Sequence, residues 1–146
     1  LIGFAAAFGY IMTLMQIPQL ITNLFTSVSS NKYVVLLMIN ILLLVLGTMM
    51  DMAPLILIMT PILLPVVMKL GIDPVHFGMI MMVNLGMGLI TPPVGGVLFV
   101  GAAVAKLPIE RVIKALYPFF GALFLVLLAV TYIPALSLWL PNLLLK

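Results

Sequence analysis

Cysteine is absent from this chain. That removes disulfides, thiolate metal sites and a thiol nucleophile together. Charge is almost as scarce: six Lys and Arg and three Asp and Glu make up 6% of the 146 residues. Histidine occurs once, so no imidazole cluster can hold a metal. With no paired carboxylates and no Ser/His/Asp arrangement either, the chain reads as a non-enzyme. What fills the space is apolar: 66% of residues are hydrophobic, more than a soluble domain of this length can hide. The class is integral membrane, all-α. Lys32, Lys69, Lys106, Arg111, Lys114 and Lys146 punctuate the apolar runs as interfacial anchors do. They are scattered, and nothing points to nucleic acid. Leu1 already stands inside an apolar helical pattern, which reads as a fragment of a larger multi-span protein. The twelve methionines replace leucine in apolar runs and read as packing.

The chain is organised around Asn84-Leu-Gly-Met-Gly88-Leu-Ile-Thr91-Pro92-Pro93-Val-Gly95-Gly96. The segment lies in a long uncharged region, at membrane depth, yet it forbids a regular helix. Pro92 and Pro93 lack backbone donors, and Pro92 drives Thr91 from helical dihedrals. Broken backbone in hydrocarbon is tolerated only when buried in protein or lining a watery cavity. Such a break therefore reads as a binding site.

Residues 1–14 read as the end of a spanning helix, with small residues for close packing. Gln16 to Gln19 breaks it, and Ile17 to Val28 reads as a short amphipathic interfacial helix. Tyr33 to Met68 would measure roughly 54 Å as one helix, against a hydrocarbon core of about 30 Å. It is expected to be two elements, broken between Gly47 and Pro54, with Asp51 or Thr48 as N-cap. Pro61 and Pro65 are expected to interrupt the second element again. Asp73-Pro74 starts a helix to about Gly88. From 74 to 105 two readings compete: a re-entrant hairpin of arms 74–90 and 94–105, or one tilted span with a kinked extension. The hairpin is favoured, because each arm is short and charges stand at both outer ends. Lys106 to Lys114 opens an interfacial helix at Pro108, and the run from Ala115 to Leu145 is the final span. The implied division is 1–32, 33–105 and 106–146.

Asp51 is the one carboxylate far from a charge cluster. An ionised carboxylate in a bilayer is costly, so it should face a cavity, a cation or a polar partner. Thr91, Asn84 and freed carbonyls around Gly86–Pro93 offer hard oxygen ligands, suited to an alkali cation. The helix starting near Val94–Gly96 favours an anionic group at its N-terminus. His76, alone in a helix's first turn, reads as a packing residue.

Several motifs occur in order: Gly47-Thr-Met-Met-Asp51, Thr60-Pro-Ile-Leu-Leu-Pro65, Gly71-Ile-Asp-Pro-Val-His-Phe-Gly78, Gly88-Leu-Ile-Thr-Pro-Pro-Val-Gly95, Tyr117-Pro-Phe and Ser137-Leu-Trp-Leu-Pro141. Over residues 35–141 they resemble the large membrane subunit of tripartite ATP-independent periplasmic (TRAP) transporters. The resemblance implies an elevator-type fold of the ion-transporter kind in the bacterial inner membrane. It implies multiple spans and sodium-driven uptake of an organic anion such as sialic acid or a C4-dicarboxylate. It implies as partners a periplasmic substrate-binding protein, a small four-helix membrane subunit and the remainder of the large subunit. It makes 74–105 the second hairpin, with Lys106–Lys114 linking it to a scaffold helix.

The expected cation and substrate region is Gly47, Asp51, Asn84, Gly88, Thr91, Pro92, Pro93 and Gly95. Sodium is expected at Thr91, Asn84 and the Gly88 carbonyl, with Asp51 nearby, and no organic cofactor. The rivals are a non-transporting helical anchor or assembly subunit, a different carrier, and a channel. Orientation stays open: the positive-inside rule puts 106–114 in the cytoplasm, while the family's second hairpin is expected to open toward the periplasm.

Overall fold

The computed structural model describes residues 2–144, and among these the regular structure is helical throughout. Lys146 and the end of the final run lie outside the described residues. The helices are α1 (Ile2–Leu14), α2 (Ile17–Val28), α3 (Lys32–Met49), α4 (Met52–Lys69), α5 (Pro74–Leu89), α6 (Gly96–Ala105), α7 (Ile109–Tyr132) and α8 (Pro134–Leu144). Helices α3, α4 and α7 are each long and apolar enough to cross a membrane. Together α1 and α2 make a fourth candidate, bent by 68° at Met15-Gln16. Gln16 takes a left-handed φ of 55° there.

Local chemistry sets the boundaries. Asn31 accepts from Tyr33 N at the start of α3. Asp73 accepts from Val75 N at 2.8 Å, with Pro74 at the first helical position of α5. Between α3 and α4 the break falls at Met50-Asp51, inside the expected segment. Asp51 holds the N-cap position of α4 but makes no side-chain cap bond. The hydroxyl of Thr48 turns back to Val45 O.

Helix α4 runs unbroken through Pro61 and Pro65, which corrects the expected interruption. Pro61 has no N–H for Leu57 O. That carbonyl lies instead against Gly9 of α1, where an added Cβ would meet it at 3.3 Å. A packed neighbour thus covers the freed group, and the helix survives. Helix α2 also packs on α4, through Pro18, Thr22 and Phe25. Thr22 is buried and satisfied by Pro18 O at 2.7 Å, while Leu20, Leu24 and Val28 face outward.

The core lies where α3 and α4 meet α5: Val35, Ile39 and Leu43 against Leu55, Leu63 and Val66, with Phe77, Ile80 and Leu85 between them. The start of α3 and the α4–α5 turn share one end of the molecule. Lys32, Tyr33, Gly71, Asp73, His76 and Tyr132 together line a cavity of about 150 Å³ there. Helices α3 and α4 therefore form a helical hairpin, closed at Met50-Asp51.

The α5–α6 pair does not fold back in the same way, and here the favoured sequence reading is corrected. His76, near the start of α5, bonds Thr131 near the end of α7. Helix α7 is continuous, so Ile109 stands about 33 Å from Thr131 at 1.5 Å per residue. The C-terminal end of α6, three residues before Ile109, is thus far from the start of α5. The pair runs against α7 as two apolar helices joined through the 90–95 turn. The charged stretch at 109–114 and the apolar run as far as Tyr132 belong to this single helix α7, which passes through Pro118, and α8 takes up the run again from Pro134.

Candidate functional site

The two breaks meet. A cleft of about 160 Å³ is lined by Gly47, Thr48, Met49, Met50 and Asp51 from the hairpin tip, and by Leu89, Val94 and Gly96 from the α5–α6 pair. An added Cβ on Gly96 would stand 3.7 Å from Asp51 Oδ1, so the carboxylate lies at the N-terminus of α6. It also holds the N-cap position of α4. Two helix N-termini, each a source of partial positive charge, therefore flank one carboxylate. The C-terminal ends of α3 and α5 bring carbonyls to the same place. Among the described residues, no basic side chain lines the cleft.

The loop chemistry follows from Thr91-Pro92-Pro93. Pro92 and Pro93 stand where Gly88 O and Leu89 O would find their helical donors. Gly88 O recovers one from Thr91 N at 3.0 Å, whereas Leu89 O and Thr91 O accept no loop backbone bond. Both free oxygens converge on Gly95, where an added Cβ would meet Thr91 O at 2.9 Å and Leu89 O at 3.1 Å. Gly95 is buried, with φ +24°. The close approach and the positive φ both require glycine. The Pro92-Pro93 peptide is cis.

Gly47 and Asp51 line the cleft. Thr91, Pro92, Pro93 and Gly95 form the connecting turn behind it, and the Thr91 hydroxyl donates to Met87 O at 2.7 Å. Gly88 is a contact residue: an added Cβ would stand 2.7 Å from Gly47 C. The α3 and α5 backbones cross there with no room for a side chain.

Asn84 is elsewhere. It is fully buried, and its Nδ2 donates to Asn40 O at 2.9 Å and Asn40 Oδ1 at 2.8 Å. Asn40 Nδ2 donates in turn to Thr131 Oγ1 at 2.9 Å, whose hydroxyl donates to Leu127 O. His76 Nε2 bonds the Thr131 carbonyl at 3.2 Å. A carbonyl only accepts, so this nitrogen carries the hydrogen. Among the described residues, His76 Nδ1 and Asn84 Oδ1 are buried without a partner. The ladder ties α3, α5 and α7 together. Sequence reasoning missed Asn40 and Thr131. The available signal was a polar side chain inside an apolar, membrane-length run.

Broken apolar helices whose ends meet at one carboxylate define an α-helical membrane protein with a built site at its breaks. The chain belongs to the DctM component family of tripartite ATP-independent periplasmic transporters, whose family model matches residues 1–136. It is 47% identical, over 95% of its length, to the isethionate TRAP transporter permease protein DctMQ of Oleidesulfovibrio alaskensis, covering 22% of that protein. It is 46% identical over 97% to the C4-dicarboxylate TRAP transporter large permease protein DctM of Pseudomonas aeruginosa, covering 33%. It is 41% identical over 93% to the sialic acid TRAP transporter large permease protein SiaM of Vibrio cholerae, covering 32%. The chain thus spans a third or less of these relatives.

Proposed function

We propose that this chain supplies the cation and substrate site of a sodium-coupled organic-anion permease in a bacterial inner membrane, spanning it several times. One observation carries the reading: Asp51 at the hairpin tip faces the N-terminus of α6 across a small cleft. Sodium is held by Leu89 O and Thr91 O, oxygens that Pro93 and the turn leave without donors, with Asp51 adding negative charge nearby. The donor set is hard oxygen, as an alkali cation prefers. The anionic group of the substrate lies at the free N–H groups of α4 or α6. Asn84 stands outside the cleft, tied to Asn40 through its Nδ2, and acts there as support with its Oδ1 unbonded among the described residues.

The relatives' names carry a sulfonate, a dicarboxylate and sialic acid. The substrate class is therefore organic anions. The working assembly adds the remainder of the large subunit, a small four-helix membrane subunit and a periplasmic binding protein. The α3–α4 hairpin and the α5–α6 pair move together as the elevator, and 106–114 links them to the scaffold. The hairpin opens at the Lys32 and Asp73 end, away from Lys106. The positive-inside rule and a hairpin opening to the periplasm then agree, with 106–114 cytoplasmic.

The test is uptake of labelled organic acid by proteoliposomes holding the full-length permease, its small subunit and its binding protein. An inward sodium gradient is compared with potassium for wild type, Asp51→Ala and Gly95→Ala, whose added Cβ would meet both carbonyl oxygens. Sodium-dependent uptake that both variants lose, while still inserting in the membrane, supports the reading. Uptake indifferent to sodium refutes the coupling. Sodium-driven uptake that Asp51→Ala leaves unchanged removes the cleft from the mechanism.

A further inference from the structure

The exposed side of α7 changes character along its length. Its inner stripe, Ile109, Val112, Leu116, Phe120 and Leu127, repeats at helical spacing and packs inward to differing depths. The opposite side starts with Glu110, Arg111 and Lys114, all exposed, with exposed Lys106 just ahead of the helix. One turn after Lys114 comes Tyr117, 64% exposed. From there the same side is apolar and bare at Phe124 and Leu125, with exposed Phe119 and Val126 on its flank. Only 6% of the helix's membrane-length window is buried. A soluble anion accounts for the basic residues but not for the bare apolar stretch that continues them. A hydrocarbon layer accounts for the apolar stretch and puts Tyr117 at its edge. Lys114 and Arg111 then stand about 4.5 and 9 Å beyond that edge, in the headgroup layer.

We propose that Lys106, Arg111 and Lys114 form a binding surface for the phosphodiester headgroups of anionic membrane lipids. Charge complementarity chooses the occupant. Three cations against the single carboxylate of Glu110 leave a net positive surface, and zwitterionic headgroups carry no net charge to match it. A Lys or Arg near an anionic membrane surface changes affinity by about fivefold. The surface lies at the far end of α7 from His76 and involves no residue of the cleft, so it stands or falls apart from sodium coupling.

The test titrates short-chain phosphatidylglycerol, short-chain phosphatidylcholine and inorganic phosphate separately into detergent-solubilised full-length permease, reading apparent affinity from the thermal unfolding midpoint. Wild type is expected to bind phosphatidylglycerol more tightly than phosphatidylcholine and to ignore phosphate. In the Lys106→Gln, Arg111→Gln, Lys114→Gln variant the phosphatidylglycerol affinity is expected to fall between about tenfold and about a hundredfold. A Lys32→Gln, Lys69→Gln variant at the opposite end is expected to keep it. Should the triple variant not fold, Lys114→Gln is expected to lose about fivefold and Lys114→Arg nothing. Equal binding of the two lipids by wild type overturns the proposal and leaves this face to another protein segment. So does a preference that survives the triple variant, or a shift that inorganic phosphate reproduces.

Discussion

Replacing Gly88 by alanine adds one methyl group where the backbones of α3 and α5 cross. That carbon would lie 2.7 Å from Gly47 C and 2.9 Å from both Gly47 Cα and Gly47 O. All three are main-chain atoms, so no side chain can swing aside. Moving from 2.7 Å to the 3.4 Å where ordinary contact starts separates the helices locally by roughly 0.7 Å. Overpacking of this kind costs about 1–3 kcal/mol. The displacement also strains the Asn84–Asn40 bonds one turn earlier, 2.8 and 2.9 Å long. Side-chain bonds inside membrane proteins contribute up to about 1.7 kcal/mol each. The combined loss is therefore about 2–4 kcal/mol.

Gly86 supplies the control on the same helix. An added Cβ there meets nothing within 4 Å. Gly86→Ala should be neutral, or stabilising by up to about 1 kcal/mol through helix propensity. The assay is unfolding of the full-length permease in a detergent–SDS titration, with thermal midpoints as a second reading. Gly88→Ala is expected to unfold well before wild type, and Gly86→Ala with it or later. Equal midpoints for the two alanine variants would refute the close α3–α5 crossing.

Two further substitutions probe the supports around that crossing. Thr131→Val keeps the shape but leaves the buried Asn40 Nδ2 without its acceptor, at a cost of about 1–3 kcal/mol. Thr131→Ser keeps the hydroxyl and should recover most of it, which the same unfolding titration reads. Asp73→Ala removes the side-chain cap of α5 and should cost about 1 kcal/mol. Hydrogen exchange at Val75 should quicken in that variant and stay slow in Asp73→Asn; no change in either would deny the cap.

The two breaks were legible because each has a local cause. Thirty-odd residues with a single charge cannot cross a hydrocarbon core as one helix, and Thr91-Pro92-Pro93 removes two donors of which the neighbouring sequence replaces one. The start of α5 was legible for the same reason, since Asp73-Pro74 acts on its own first turn. Pro61 and Pro65 misled because their effect depends on residues elsewhere. The carbonyl that Pro61 frees is covered by Gly9, which stands 48 positions before Leu57 in the chain.

Which pair of helices makes the hairpin could not be read from arm lengths or from charges at their ends. Lys69, Asp73 and Lys106 are compatible with either topology, because a charge marks an interface without saying which one. What decides is a contact 55 residues apart, His76 to Thr131, combined with the unbroken length of α7. Together they fix the far end of α6 a membrane's thickness from the start of α5. The same contact explains Asn84, which at its place beside Gly88 looked like a ligand. In space it belongs to a ladder running from α5 through Asn40 to Thr131. Its Nδ2 is held there and its Oδ1 is left without a partner among the described residues, while the carbonyl oxygens left open near the cleft are those of Leu89 and Thr91 at Gly95.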